Sequence, residues 1–286
     1  MSAFLCDCHT HSAWSPDGKD SAEAMCLRAS ELGLDVYTLT DHCDCNYWLT
    51  AEEHEQETGS AIAVDREMYG SRDYSAASIS EVSALKERFP FLLCGIELGQ
   101  PLQNIKAAEE TASRPELDFI IGSHHQNAGK EDFYWLKYDK MDLSEIYAYL
   151  TDYFSEMLAM CRWGRFDVLG HLTYPLRYIV GDYGIDIDMS RFEDIIKEIF
   201  CTLAQNGRGI EINTSGLRQK YGRTFPDEHY LKLWRECGGE ILTVGSDAHN
   251  TADLGAGIRE GMELARECGF RYIAYFRERK PQFVSL

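Results

Sequence analysis

Seven of the nine histidines fall in five short polar motifs: His9-Thr10-His11, Thr40-Asp41-His42, Gly122-Ser123-His124-His125, Gly170-His171 and Gly245-Ser246-Asp247-Ala248-His249. Two further motifs, Gly95-Ile96-Glu97 and Glu211-Ile212-Asn213, contribute carboxylates without histidine. A lone histidine is usually a packed or surface residue. Seven of them, interleaved with Asp and Glu, make a donor set of neutral imidazole and carboxylate oxygen that suits Zn, Mn or Fe. No cysteine lies inside the motifs, which argues against a structural Cys-rich zinc site. Cys43 and Cys45 follow His42 and are read as packing residues rather than soft ligands.

Donors scattered over most of the chain need elements that gather them. Short apolar, β-prone runs cover 4–8, 35–40, 91–96, 117–121, 167–169, 209–212 and 240–244, and each runs straight into one of the motifs. Between them, helical periodicity predicts helices near 21–32, 77–89, 101–110, 143–164, 190–206, 227–237 and 254–268. This alternation is the pattern of parallel βα units. Strand ends converge at one mouth in a βα barrel, whereas an open sheet cannot bring seven of them together. Side chains alternate along a strand, so Asp7, His9 and His11 can share the inward face while Cys6 and Cys8 face the helices. Asp20 and Glu23 are spaced as a capping box, and Gly33 is placed to end the first helix. A last apolar stretch, 271–276, is read as a further strand or closing segment. No repeat or linker divides the chain, so one domain over 1–286 is expected.

Composition narrows the chemistry. Hydrophobic residues make up 44% and charged residues 26%, as in an ordinary soluble protein. No apolar run approaches the roughly 20 residues of a membrane span, and no signal peptide is recognisable. Ten cysteines without a CxxC pair point to free thiols in a reducing cytoplasm. A net charge of −19 argues against nucleic-acid binding, which needs an excess of Lys and Arg. An anionic substrate would then need local positive charge, of which bound metal ions are one source.

The order HxHSxxSxDG, TDH, GIELG, GSxH, GH, EINTSGLR and GSDAH resembles the PHP superfamily (polymerase and histidinol phosphatase), and within it most closely the histidinol-phosphate phosphatase branch. The likeness runs from residue 9 to about residue 283. HxH and SDAH carry the superfamily, and the stretch 211–218 with Phe225-Pro226 is the more specific pointer to the branch. The resemblance implies a distorted seven-stranded (β/α)7 barrel, TIM-barrel-like, with two to three divalent metal ions at the strand C-terminal ends. By position, His9, His11, Glu97 and Asp247 would bind the first ion. Glu97 would bridge to a second, completed by His125 and His171, and Asp17, His42 and His249 would hold the third. The GSHH motif departs from the commoner form with one histidine, which leaves His124 and His125 as alternatives. His125, at the last position of GSxH, is favoured, and parity would turn His124 away from the mouth. Three divalent ions bring about +6, three carboxylates about −3 and a bridging hydroxide about −1, so the pocket keeps roughly +2 for a phosphate.

The implied reaction is in-line attack of a metal-bridging hydroxide on a small phosphate monoester. Arg218 is the first candidate for a phosphate clamp, because a guanidinium matches phosphate oxygens in a two-pronged geometry, and Arg177 is the second. Asn213 and Ser215 either donate to the substrate or cap the following segment. Ser12 and Ser15 are read as loop and turn residues. For the general acid, His124, His229 and metal-bound water stay open. The stretch 48–75 is too long for an ordinary βα connection and is read as a lid, while Tyr134, Trp135 and Tyr138 either wall the pocket or pack under a loop. The resemblance makes L-histidinol phosphate the expected substrate, with another small phosphate ester or a nucleotide as the alternative, in a monomer or small homo-oligomer. An amidohydrolase would commonly place a lysine at a strand end where this chain has Glu97. A non-catalytic relative would have lost ligands, and all nine positions are filled.

Overall fold

A computed structural model describes residues 4–45 and 72–286. Seven parallel staves form a nearly closed barrel, in the order β1 (Cys6–Asp7), β2 (Val36–Leu39), β4 (Leu92–Gly99), β5 (Phe119–Ser123), β6 (Val168–Leu169), β7 (Gly209–Asn213) and β8 (Leu242–Gly245). A short strand β3 (His42–Asp44) continues the β2 stave, because Leu39 pairs with Cys94 and His42 with Glu97 in one unbroken register. At the interruption the backbone still bonds on both sides, Thr40 N to Thr10 O at 2.8 Å and Glu97 N to Asp41 O at 3.1 Å. Closure between the last stave and the first rests on Cys8 N to Val244 O at 3.0 Å and Asp247 N to His9 O at 2.7 Å. The seven expected strands are all present, and each ends toward the same mouth.

The helices are α1 (Ala22–Leu32), α2 (Arg72–Leu85), α3 (Ile105–Ala112), α4 (Leu143–Trp163), α5 (Glu193–Gln205), α6 (Glu228–Glu236) and α7 (Ile258–Glu267). Their apolar stripes explain their packing; in α5 the buried residues Ile196, Ile199, Phe200 and Leu203 recur at helical spacing and face the barrel. Helix α4 is framed by a complete capping box, Asp142 with Glu145, and ends at Gly164 with φ 63°. For α1 the expected box is corrected. Ser21 is the N-cap, accepting from Ala24 N, while the Asp20 carboxylate accepts from Thr251 N, 2.7 Å away in the β8 loop. Gly33 ends α1 as expected, in the left-handed region at φ 69°. Helix α2 begins earlier and ends earlier than the periodicity suggested. The stretch 48–75, read as a lid, lies outside the described residues except for Arg72–Ser75, which open α2.

The terminal segment forms an antiparallel hairpin, β9 (Tyr272–Arg277) and β10 (Lys280–Ser285), whose turn residues Glu278 and Arg279 both have positive φ. The turn docks on the end of the barrel opposite the mouth. There Asp118, just before β5, accepts from Glu278 N (3.0 Å), Cys94 N (2.9 Å) and Lys86 Nζ (2.6 Å). Asp167, just before β6, accepts from Ile120 N at 2.8 Å and Arg279 Nε at 2.6 Å. All ten cysteines are free, eight of them buried. No helix among the described residues is long and apolar enough to cross a membrane.

The Asp167 carboxylate is buried between two cations, Arg279 Nε at 2.6 Å and Arg208 Nη1 at 3.6 Å, so removing Arg279 leaves it only the longer pair. Arg279→Ala is expected to cost about 2 kcal/mol in urea unfolding, the worth of one hydrogen bond to a charged group, with the metal content unchanged. A midpoint equal to that of the parent chain would show that the hairpin turn contributes nothing.

Candidate metal centre

Glu97, on β4, is 1% exposed, and its two oxygens face different partners. Oε1 lies 2.7 Å from His171 Nε2 and 3.2 Å from His125 Nε2, and it accepts from Ser123 Oγ at 2.6 Å. Oε2 lies 2.8 Å from His42 Nδ1, 3.3 Å from His9 Nε2 and 3.5 Å from His11 Nε2. Asp247, beyond β8, adds an oxygen to the second group, its Oδ1 sitting 3.5 Å from His11 Nε2 and 3.8 Å from His9 Nε2. At the rim, Asp17 places Oδ2 at 3.1 Å from His249 Nε2 and Oδ1 at 3.6 Å from His42 Nε2. The structure thus brings all nine residues of the expected ligand set together around one mouth. His42 faces two groups at once, with Nδ1 toward Glu97 and Nε2 toward Asp17.

These contacts fit metal donors better than hydrogen bonds. His9 Nε2 and His11 Nε2 stand 3.0 Å apart, and so do the Nε2 atoms of His125 and His171 at 3.2 Å, with the donors converging on common points. His42 Nδ1 and His249 Nε2 are buried beside carboxylate oxygens yet make no hydrogen bond, among the described residues. The histidines are also held from behind. Glu211 Oε1 takes His9 Nδ1 at 2.7 Å and Asp44 Oδ1 takes His125 Nδ1 at 3.1 Å, which leaves each Nε2 as the free lone pair. His11 Nδ1 bonds Ser15 Oγ at 3.0 Å, and Ser15 Oγ donates to Asp41 Oδ1 at 2.7 Å. Asp41 also accepts from Ser12 N (2.7 Å), Ser12 Oγ (2.8 Å) and Ser78 Oγ (2.6 Å). Ser12 and Ser15 are therefore buried positioning residues and not simple loop residues. Imidazole and carboxylate in this density suit divalent metal ions.

Asp7, which the expected ligand set does not include, is buried and accepts from Ser246 N (2.8 Å), Ser246 Oγ (2.5 Å) and Gly255 N (3.0 Å). The expected role of Arg218 as a phosphate clamp is corrected. Arg218 directs its guanidinium at main-chain carbonyls, Nη1 to Ser246 O at 2.6 Å and Nη2 to Asp247 O at 2.8 Å. It holds a loop in which Asp247 sits at φ 54°, a conformation non-glycine residues seldom take. Asn213 Oδ1 accepts from Ser215 N (3.0 Å) and Ser215 Oγ (2.6 Å), so this pair caps the turn, while Asn213 Nδ2 reaches Asp247 Oδ2 at 3.2 Å. His124 turns away, bonding Asn127 Oδ1 at 3.1 Å, and burial lowers it to about 4. His229 is exposed on α6 beside Glu193 and is remote from the donors.

The donors open onto a cavity of about 500 Å³. Seven of the nine expected ligands, all but His9 and His11, line it, namely Asp17, His42, Glu97, His125, His171, Asp247 and His249, together with Asp44, Asp132, Tyr134, Trp135, Tyr174, Tyr178 and Asp182. Tyr134 and Trp135 thus wall the pocket, whereas Tyr138 is buried under the loop with its hydroxyl on Phe133 O at 3.0 Å. Arg177 is the one arginine or lysine among the described lining residues. It donates from Nη2 to Ser215 Oγ at 2.8 Å and Asp247 Oδ2 at 3.0 Å, packed over the rings of Tyr174 and Phe225. Asp132 and Glu211 were not singled out from the sequence. Glu211 stood in a recognised motif and strand parity could have found it, whereas Asp132 sits in a loop with no periodic signal.

A βα barrel with a histidine–carboxylate cluster at its strand ends is the architecture of a metal-dependent hydrolase. The chain belongs to the PHP family, whose PHP domain model matches residues 7–215. It is 26% identical over 282 residues to a probable histidinol-phosphatase of Thermotoga maritima, covering 94% of this chain and 95% of that one. A histidinol-phosphatase of Lactococcus lactis is 23% identical over 279 residues, covering 94% and 93%. The crystal structure of histidinol phosphate phosphatase from Lactococcus lactis, complexed with zinc, L-histidinol and phosphate, superposes with a TM-score of 0.71 at 23% identity, covering 98% of this chain and all of that one. The expected fold is thereby shown.

Burial opposes charge on His42, but Glu97, Asp17 and Asp44 outweigh it and lift the imidazole to about 9. A group raised in the folded state stabilises fully below its unfolded value of 6.5 and stops doing so as pH rises through about 9. Metal-stripped protein is therefore expected to lose thermal stability between pH 6.5 and 9, while metal uptake strengthens over the same interval as ions displace protons. Melting curves with and without chelator check this. Stability of the stripped protein that rises across that window would contradict it.

Proposed function

We propose that this chain is a metal-dependent phosphoric monoester hydrolase that converts L-histidinol phosphate to L-histidinol and phosphate. The observation that carries the hydrolase reading is the division of Glu97 between two imidazole groups, at the floor of a cavity whose wall holds Arg177. The substrate rests on the relatives, several of which are named histidinol-phosphatases over nearly their full length.

His9, His11, Glu97 and Asp247 would hold one divalent ion; Glu97, His125 and His171 a second; Asp17, His42 and His249 a third. Zinc is supported by the ion in the similar Lactococcus lactis structure, and manganese and iron suit the same donors. When bound, such ions supply positive charge to phosphoryl oxygens and bring the pKa of water toward neutrality. The chain's own residues do the rest. Glu211, Asp44 and the Ser15–Asp41 pair fix the tautomers of His9, His125 and His11. Arg177 takes a phosphate oxygen beside Asp247, in place of Arg218, whose donors are spent on the β8 loop. Proton delivery to the leaving oxygen falls to a group that lines the cavity, which His124 and His229 do not.

Phosphate release is the direct test. Protein loaded with Zn, Mn or Fe is expected to prefer L-histidinol phosphate over nucleoside monophosphates and small phosphodiesters. Equal rates across the panel would leave the metal-dependent hydrolase and remove the assigned substrate. Arg177→Ala is expected to lower kcat/KM for every phosphomonoester by about 100-fold, as loss of an aligned charge-stabilising donor does, with Arg177→Lys restoring only part. An unchanged value would take Arg177 out of the phosphate site.

A further inference from the structure

The cavity has two chemically different sides. Asp132, in the loop after β5, is half-buried in the cavity wall near the donor cluster, and its Oδ1 accepts from Tyr134 N at 2.7 Å and Tyr174 OH at 3.3 Å. Tyr178 OH donates to Tyr174 OH at 2.9 Å, so a row of hydroxyls fixes that oxygen. The other oxygen, Oδ2, has no hydrogen bond or ion pair among the described residues, although Asp132 lines the cavity. The ring of Tyr174 stands 5.1 Å from that of His125 and 5.2 Å from that of His171, which makes it the partition between the donor cluster and Asp132. Beside the carboxylate, the edge-to-face pair Tyr134 and Trp135 supplies aromatic surface to the same space.

An acid placed in this way is out of keeping with an anion-binding pocket, unless the ligand carries both signs. Desolvation costs a carboxylate a great deal without a cation, and burial pushes Asp132 up to about 6. No lysine or arginine is paired with it among the described residues. A phosphate monoester whose alcohol bears an ammonium group next to the ester carbon, and an imidazole beyond it, matches both sides. Its phosphate would face the metal donors and Arg177, and its cationic end would cross Tyr174 to reach Asp132 and the aromatic pair, where cations are favoured.

We propose that Asp132 is the specificity-determining residue of this site, and that its free carboxylate oxygen receives the cationic end of the substrate alcohol. This rests on the histidinol-phosphatase reading. Asp132→Asn is the suitable change, since an amide oxygen can still accept from Tyr134 N and Tyr174 OH while the charge is lost. Steady-state kinetics with L-histidinol phosphate and with a neutral monoester, glycerol phosphate, are expected to separate. For L-histidinol phosphate, kcat/KM falls by about 10- to 100-fold, mainly through KM, as loss of a charge-assisted hydrogen bond predicts. For glycerol phosphate it stays within about twofold. An equal fall for both substrates would assign Asp132 to the chemical step or to structure, and no fall for either would remove it from the site; both outcomes overturn the proposal. Should the parent chain fail on L-histidinol phosphate, the underlying reading fails alone, and phosphoethanolamine against glycerol phosphate then reads the same charge preference. Loss of that preference in Asp132→Asn supports the proposal, and its persistence overturns it.

Discussion

The structure turns on the burial of one carboxylate. Glu97 lies inside the barrel almost out of contact with water, a position that costs several kcal/mol unless charge or hydrogen bonds compensate. His9, His42 and His125 answer it and hold it well below the usual carboxylate range against the pull of burial. That compensation demands geometry. Side chains from β3 and from just beyond the ends of β1, β5 and β6 must all arrive within about 3.5 Å of one residue on β4. A parallel sheet curled until Cys8 meets Val244 provides this, because every stave then ends at the same mouth. The break at Thr40 and Asp41 serves the same end. It leaves His42 in register with Glu97 while freeing Asp41 to collect Ser12, Ser15 and Ser78.

Around this centre a further ring of carboxylates fixes which nitrogen of each histidine is available. Glu211 does so for His9 and Asp44 for His125 through direct bonds, and Asp41 does so for His11 through the Ser15 hydroxyl. Space is as tightly specified as charge. A methyl group on Gly245 would come within 2.3 Å of His9 Cβ and 2.6 Å of Glu211 Oε1, so only glycine lets the last stave pass these two residues. The polar interior therefore leaves little freedom for the histidine rings, as a preorganised ligand set requires.

What could be read from the sequence follows from how periodic each feature is. The strands were legible as apolar runs with a motif at each end, whereas the set of nine donors came from the resemblance to the PHP superfamily, Asp17 lying in none of those motifs. Arg218 was misread because a guanidinium fork matches a pair of peptide carbonyls as well as a phosphate, and nothing local distinguishes them. Asp20 lost its capping role for a similar reason: a neighbouring Ser21 could do the same, and the Asp20 carboxylate had a distant partner in Thr251 N. Asp7 shares the parity of His9 and His11, yet two donors from Ser246 and one from Gly255 fix it in the seam between first and last staves. Contacts of this kind, between residues more than 200 positions apart, are written in no local pattern.

The acidity of the chain becomes intelligible at Asp247. Its Oδ1 faces His11 at 3.5 Å and His249 at 3.6 Å, while its Oδ2 accepts from Arg177 at 3.0 Å and Asn213 at 3.2 Å. One carboxylate thus joins the donor cluster to the guanidinium, and this single residue holds the two local sources of positive charge side by side. Field lines from both converge on the same part of a cavity walled by tyrosines, where the low dielectric strengthens them. Among the described residues, Asp41 and Glu211 lie behind the histidines and Asp118 and Asp167 at the opposite end of the barrel, so these buried carboxylates do not face an anion at the donors. Selection between anions then falls to the cavity wall, where Asp132 and the aromatic pair meet whatever the phosphate carries.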